Sequence, residues 1–310
     1  MHRLKLAIMV GTALLGTTSC AADGARGSRL VDTAASTQPT VVATDAISTT
    51  VQVTSTATRG ERTQVTPFPQ VPPLDNPALA GCDPVVLRAL VQGNATARQW
   101  IVVLAPTITS TSATLQIATL GPNDIWGCSL AATPARVGRS GIRPFAERRS
   151  GDDTTPSGIF PLGSVLTPKG PVSFFGNSAD PGARGPYRRV QTDDCYGANP
   201  NTTGYGHWRT DAAGCTGADE LLHSIGAAYE HAILIGANTE PNVSGDAPGE
   251  TAYASAIFVH RFTYTASGAP KPTSGCVSVS HSALVTAVRT IDPLLDPHFA
   301  IGTQQSLVAG

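Results

Sequence analysis

Charge is scarce in this chain. Only 14% of its 310 residues are Asp, Glu, Lys or Arg, and the formal net charge is −1. A nucleic-acid binder would carry a basic excess to neutralise phosphates, so that class is excluded. Lysine is nearly missing: of 21 basic residues, only Lys5, Lys169 and Lys271 are lysines. Long apolar runs are missing as well. The stretch Leu6–Leu15 is too short to cross about 30 Å of hydrocarbon comfortably. No internal repeat of fixed period is visible. His207, His223, His231, His281 and His298 are scattered, and no pair has metal-ligand spacing such as H-E-x-x-H. No metal and no other cofactor is expected.

The N-terminus has the features of an export signal. Arg3 and Lys5 supply a positive start to the short apolar stretch. It ends in Leu15-Gly16-Thr17-Thr18-Ser19-Cys20, which resembles a bacterial lipoprotein box, with Thr17 where Leu is usual. The alternative is ordinary cleavage near Ala21-Ala22. Residues 1–20 are thus expected to be a signal with Cys20 as the lipidation site. The rest of the chain would lie outside the cytoplasm, touching membrane only through that lipid. Residues 21–78 are dominated by Thr, Ser, Ala and Val with almost no aromatics, and end in Pro67, Pro69, Pro72 and Pro73. That composition predicts a flexible stalk stiffening into a proline-rich spacer.

Residues 79–310 have the hydrophobic content of a folded domain. Asp83 can cap a short helix with Pro84 at its first position, running through Val85, Leu87, Leu90 and Val91. Strands are predicted at 100–104 and 113–118, and more around 135–138, 158–166, 232–237 and 256–264. Thr216 to Glu230 has helical spacing. Ser280 can cap a second helix, with Leu284, Val285, Val288 and Ile291 on one face and Pro293 as its stop. Many short strands and few helices predict a mainly-β domain, a sandwich or partly closed barrel.

The chain has six cysteines: Cys20, Cys82, Cys128, Cys195, Cys215 and Cys276. Export makes disulfides possible. Cys195 and Cys215 flank a Gly-, Asn- and Thr-rich loop that a local bridge could staple, and Cys82 and Cys128 could tie the start of the domain to a later strand. Four such cysteines allow three connectivities. Cys276 is then expected to be unpaired. It lies in Thr273-Ser274-Gly275-Cys276-Val277, and His260 closes the apolar run Ala256-Ile257-Phe258-Val259-His260. A small-residue turn delivering a Cys near a strand-end His suits a thiol nucleophile and its base, with Gly275 letting the backbone approach a substrate closely.

Three segments together are similar to the L,D-transpeptidase (YkuD-type) catalytic domain, in its actinobacterial exported branch, over roughly residues 98–295. The first runs from Val137-Gly138-Arg139-Ser140-Gly141 to Gly151-Asp152-Asp153-Thr154-Thr155-Pro156-Ser157-Gly158-Ile159-Phe160. The second is Glu220-Leu221-Leu222, Tyr229, and Ile233-Leu234-Ile235-Gly236-Ala237-Asn238. The third is Ser255-Ala256-Ile257-Phe258-Val259-His260 with Thr273-Ser274-Gly275-Cys276-Val277. Ser274 stands where many members have His. Ser278 follows Val277 where many have Arg or Asn, and Arg261 follows His260 where small residues are common.

The resemblance implies a peptidoglycan cross-linking enzyme, expected as a monomer, acting on stem peptides through a Cys276 thioester. His260 would be the base, a backbone carbonyl near His260–Arg261 would orient it, and the N–H groups of Gly275 and Cys276 would hold the oxyanion. Ser274, Tyr253 and Arg261 are the substrate-contact candidates. Two rival functions are an L,D-carboxypeptidase with water as acceptor and a non-catalytic wall-binding lipoprotein. Arg148-Arg149 and Arg188-Arg189 could bind stem carboxylates, but they read better as solvated loop charge. Asp152-Asp153 and Asp193-Asp194 read as turn formers.

Overall fold

The computed structural model describes residue 74 and residues 76–309. The signal segment with Cys20, and nearly all of the expected stalk, lie outside the described residues. Sixteen strands are present among them. In chain order they are β1 (Gln99–Leu104), β2 (Ser112–Leu120), β3 (Trp126–Arg136), β4 (Ile142–Pro144), β5 (Thr155–Pro161), β6 (Val165–Thr167), β7 (Gly170–Val172) and β8 (Phe174–Gly176). There follow β9 (Tyr187–Arg189), β10 (Cys195–Tyr196), β11 (Trp208–Arg209), β12 (Glu220–Leu221), β13 (Ala232–Leu234), β14 (Phe258–Arg261), β15 (Val277–Val279) and β16 (Pro297–Gly302). Three α-helices accompany them: α1 (Pro84–Gly93), α2 (His281–Thr290) and α3 (Gln304–Ala309). The chain is mainly β, as its pattern of short apolar runs implies.

Eleven strands form one mixed, curled sheet in the order β4-β5-β16-β1-β2-β3-β15-β14-β13-β8-β9. Side chains alternate across it, as a pleat requires. Ile101 and Val103 of β1, Val259 of β14, and Val277 and Val279 of β15 face one core. There they meet Ala283, Leu284, Ala287 and Val288 of α2. Their neighbours Trp100 and Val102 face a second core under α1. Phe258 and Cys276 face a third, roofed by Tyr196, Trp208, Leu222 and Tyr229. The small sheet β11-β10-β12 supplies part of that roof.

Helix α1 forms where its local signals place it. Asp83 Oδ1 accepts from the Val85 and Val86 amides at 2.9 and 3.1 Å, and Pro84 opens the first turn. The buried stripe is Val86, Leu87, Leu90 and Val91, while Val85 is exposed. Ser280 caps α2 through the Ala283 amide. The helix expected over 216–230 does not form. Glu220 and Leu221 pair with β10 instead, and residues Leu222–Tyr229 make 3₁₀ turns broken at Gly226, whose φ is +65°. The strand expected at 135–138 is the end of the much longer β3. Both bridges considered from the sequence are present: Cys82–Cys128 ties the approach to α1 to β3, and Cys195–Cys215 spans the Gly-rich loop.

Candidate active site

Strands β14 and β15 run parallel, with Val259 opposite Val277 and His260 opposite Ser278. Alternation puts His260 on the same face as Phe258, and Cys276 on that face too, one strand away. Cys276 enters β15 with its Sγ 3.3 Å from the Phe258 amide nitrogen and 3.4 Å from the Ala256 carbonyl oxygen. Thus the two residues sixteen apart in sequence become diagonal neighbours on one sheet face.

His260 is 4% exposed. Its Nδ1 lies 2.7 Å from the carbonyl oxygen of Arg261. A carbonyl only accepts, so Nδ1 carries the proton and Nε2 of the neutral ring is left as an acceptor. Burial pulls the imidazole pKa down to about 4, although the bond to Arg261 opposes the shift. The ring is therefore neutral at pH 7. It meets the Tyr229 ring edge-on at 5.5 Å, and the Tyr229 hydroxyl donates to Glu220 Oε2. The backbone carbonyl predicted to orient His260 is the one found.

The cysteine loop is held by hydroxyls and one buried cation. Thr155 Oγ1 and Thr273 Oγ1 both donate to the Cys276 carbonyl, and Thr155 Oγ1 also accepts from the Gly138 amide at 2.8 Å. A Cβ on Gly138 would stand 2.3 Å from the Asp153 carbonyl oxygen, so only glycine lets this turn close. Beneath the loop lies Arg148, 1% exposed. Its Nε donates to the Thr154 carbonyl at 2.9 Å, its Nη1 to the Arg149 carbonyl, and its Nη2 to the Ser274 carbonyl at 3.4 Å. Asp152 balances the charge at 3.3 Å. Gly275 has φ +149°, and a Cβ there would come within 2.7 Å of Arg148 Nη2.

Several expected roles are corrected. Cys276 is fully buried and disulfide-bonded rather than free, so the expectation of an unpaired thiol is not met. The Gly275 N–H donates to Thr273 Oγ1 at 3.1 Å. It is turned into the loop, and Gly275 serves by its conformation rather than as an oxyanion donor. Arg261 is tied to Glu230 at 2.6 Å, so its link to the site is through its carbonyl. The half-buried Tyr253 ring lies 5.1 Å from the Phe145 ring and beneath the Arg149 guanidinium at 5.0 Å. Ser274 stays at the site: its Oγ accepts from Arg139 Nη2 at 3.0 Å.

Arg148 and Arg188 are not solvated loop charges. Arg188 forms a bidentate pair with Asp194, at 2.9 and 2.6 Å, and Asp194 also accepts from Trp208 Nε1. Asp152 is a turn former as expected, accepting from the Arg149 and Thr154 amides. Ser278 Oγ is buried without a hydrogen-bond partner among the described residues, opposite His260. Sequence reasoning missed Arg139 and Thr155, which were visible only as members of the Val137–Gly141 and Gly151–Phe160 segments, while Arg148 was weighed as a carboxylate ligand and Ser278 was noted only as a departure after Val277. Among the described residues, no group of three or more His, Cys, Asp or Glu side chains could hold a metal.

Comparison with protein families, with characterised proteins and with solved structures returns no match to this chain. The functional reading therefore rests on its own residues.

Proposed function

We propose that the chain is a cysteine acyltransferase of the L,D-transpeptidase type, acting on peptidoglycan stem peptides outside the cytoplasm. The observation that carries this reading is the buried His260, its Nδ1 proton committed to the Arg261 carbonyl, on the sheet face it shares with Cys276. Two disulfides among the described residues fit an exported protein. No helix among the described residues is long and apolar enough to cross a membrane.

The chemistry belongs to the reduced form of Cys276. The thiol sulfur attacks the carbonyl carbon of the bond between an L-centre and D-Ala in a tetrapeptide stem. Its proton passes to His260 Nε2 and then to the departing D-Ala amine. The resulting thioester is opened by an amine of a neighbouring stem, forming a 3→3 cross-link and returning the thiol. Water as acceptor would give an L,D-carboxypeptidase. A second reading, a non-catalytic wall-binding lipoprotein, is favoured by the disulfide on Cys276.

One experiment separates these readings. Protein treated with a mild reductant is incubated with a carbapenem, and intact mass locates any adduct. Tetrapeptide muropeptides are then supplied. A Cys276 adduct with dimeric products supports the transpeptidase, and trimmed tripeptides support the carboxypeptidase. Cross-linking retained by Cys276→Ala removes the nucleophile assignment, and no adduct after reduction leaves the wall-binding reading.

A further inference from the structure

The chain leaves the large sheet after β13 and returns at Ala256, whose carbonyl oxygen lies 3.4 Å from Cys276 Sγ. Between them residues 239–252 form a strap, and His207, just before β11, meets it with both ring nitrogens. Nδ1 lies 2.8 Å from Glu240 Oε1, and Nε2 lies 3.4 Å from Asp246 Oδ2. Ionised carboxylates only accept. A neutral imidazole has one N–H and can serve one of them, whereas an imidazolium serves both. We propose that His207 is a proton-operated latch, holding the strap at Glu240 and Asp246 when charged and releasing the Asp246 arm when neutral. This inference does not depend on the acyltransferase reading.

The contacts decide which arm lets go. The Glu240 contact is the shorter, and its side chain is 19% exposed against 33% for Asp246. Glu240 Oε2 also accepts from the Leu166 amide of β6 at 2.7 Å, which fixes that carboxylate to a second element. The one proton of the neutral ring therefore stays at Nδ1. The bare Nε2 then faces Asp246, acceptor against acceptor. The two carboxylates flank the ring on opposite nitrogens, so they do not converge with it on a common point as metal ligands would.

Other titratable groups around the ring are engaged elsewhere. Arg209, two residues on, is held by Asp211 and Asp219. Glu250 of the strap accepts from the Gly245 amide at 3.0 Å. From β10, the Tyr196 hydroxyl donates to the Gly206 carbonyl. The β6–β7 hairpin carries Lys169 as its one charged residue. The ends of the strap are pinned by uncharged groups. Asn238 exchanges two hydrogen bonds with Ser244, at 2.9 and 2.7 Å, and the Ser150 amide donates to the Ala252 carbonyl at 3.0 Å. Release of Asp246 thus loosens the middle of the strap and leaves its ends in place.

Amide hydrogen exchange of the full chain, read by mass spectrometry at about pH 5.5 and about pH 8, brackets the range in which histidine changes charge. Protection of peptides from 239–252 is corrected for intrinsic exchange rates and expressed relative to β1 of the same protein. The wild-type strap is expected to be about two- to fivefold better protected at the lower pH, the range for a partly exposed ion pair. His207→Gln, which carries no titrating proton, should flatten the difference while β1 stays protected. Asp246→Ala, which removes the arm that is released, should flatten it too and serves if the glutamine variant fails to fold. Equal relative protection of the wild-type strap at the two pH values overturns the latch. So does a variant of either kind that folds and keeps the full difference.

Discussion

Arg148 Nη2 lies 3.4 Å from the carbonyl oxygen of Ser274, two residues before Cys276. A charge removed from water is tolerated here because three carbonyls and one carboxylate converge on it. Burial pulls its pKa below the usual arginine range, and Asp152 opposes that shift. This contact joins the turn at residues 148–156 to the loop that presents the sulfur.

Arg148→Met should destabilise the fold by roughly 3–5 kcal/mol, because Asp152 and the carbonyls it served are left without the cation. Arg148→Lys should recover only part of the loss, since an ammonium cannot reach all three carbonyls at once. Urea unfolding of the reduced proteins reads both. An Arg148→Met protein as stable as wild type would show that the convergence is incidental.

Replacement of Gly275 by Ala adds a Cβ at φ +149° that would lie 2.7 Å from Arg148 Nη2. The expected penalty is on the order of 1–3 kcal/mol from backbone strain, with displacement of the Cys276 loop. A change in the alkylation rate of reduced Cys276 should accompany the loss. Unchanged stability and unchanged alkylation together would contradict the geometry.

The depressed pKa of His260 has a defined sign. An unfolded histidine takes up its proton near 6.5, whereas the folded ring resists until about 4. Between those values the unfolded state binds more protons, so stability is complete above about 6.5 and falls as the pH drops toward 4. The full difference corresponds to roughly 3 kcal/mol. Urea midpoints at pH 7 and pH 4.5 should therefore converge in His260→Asn relative to wild type. Identical pH dependence in the two proteins would mean that the ring is not buried uncharged.

The two bridges close loops of different length, with sequence separations of 46 for Cys82–Cys128 and 20 for Cys195–Cys215. Loop-closure entropy assigns about 4 and about 3 kcal/mol to them. Paired Cys→Ala variants should rank in that order by thermal unfolding. A larger loss at Cys195–Cys215 would point instead to its place beside the core that holds Phe258 and Cys276.

Features governed by neighbours in the chain were legible from residue order. Asp83-Pro84 announces α1 because a cap needs only amides two and three residues away. Trp100 to Leu104 announces β1 because both faces of that strand are buried, so the run is continuously apolar. His260 and Cys276 stood out in the sequence as one motif, but their common sheet face depends on the parallel register of β14 and β15. Long-range convergence decided the rest. Arg148 has the same local surroundings as a solvated loop arginine until Thr154 and Ser274 close on it. Residues 216–230 have helical spacing, yet Glu220 and Leu221 gain a strand partner in β10 and Gly226 breaks the turn. Burial, ion pairing and disulfide connectivity depend on which distant segments meet, and that is a property of the folded chain rather than of any stretch of it.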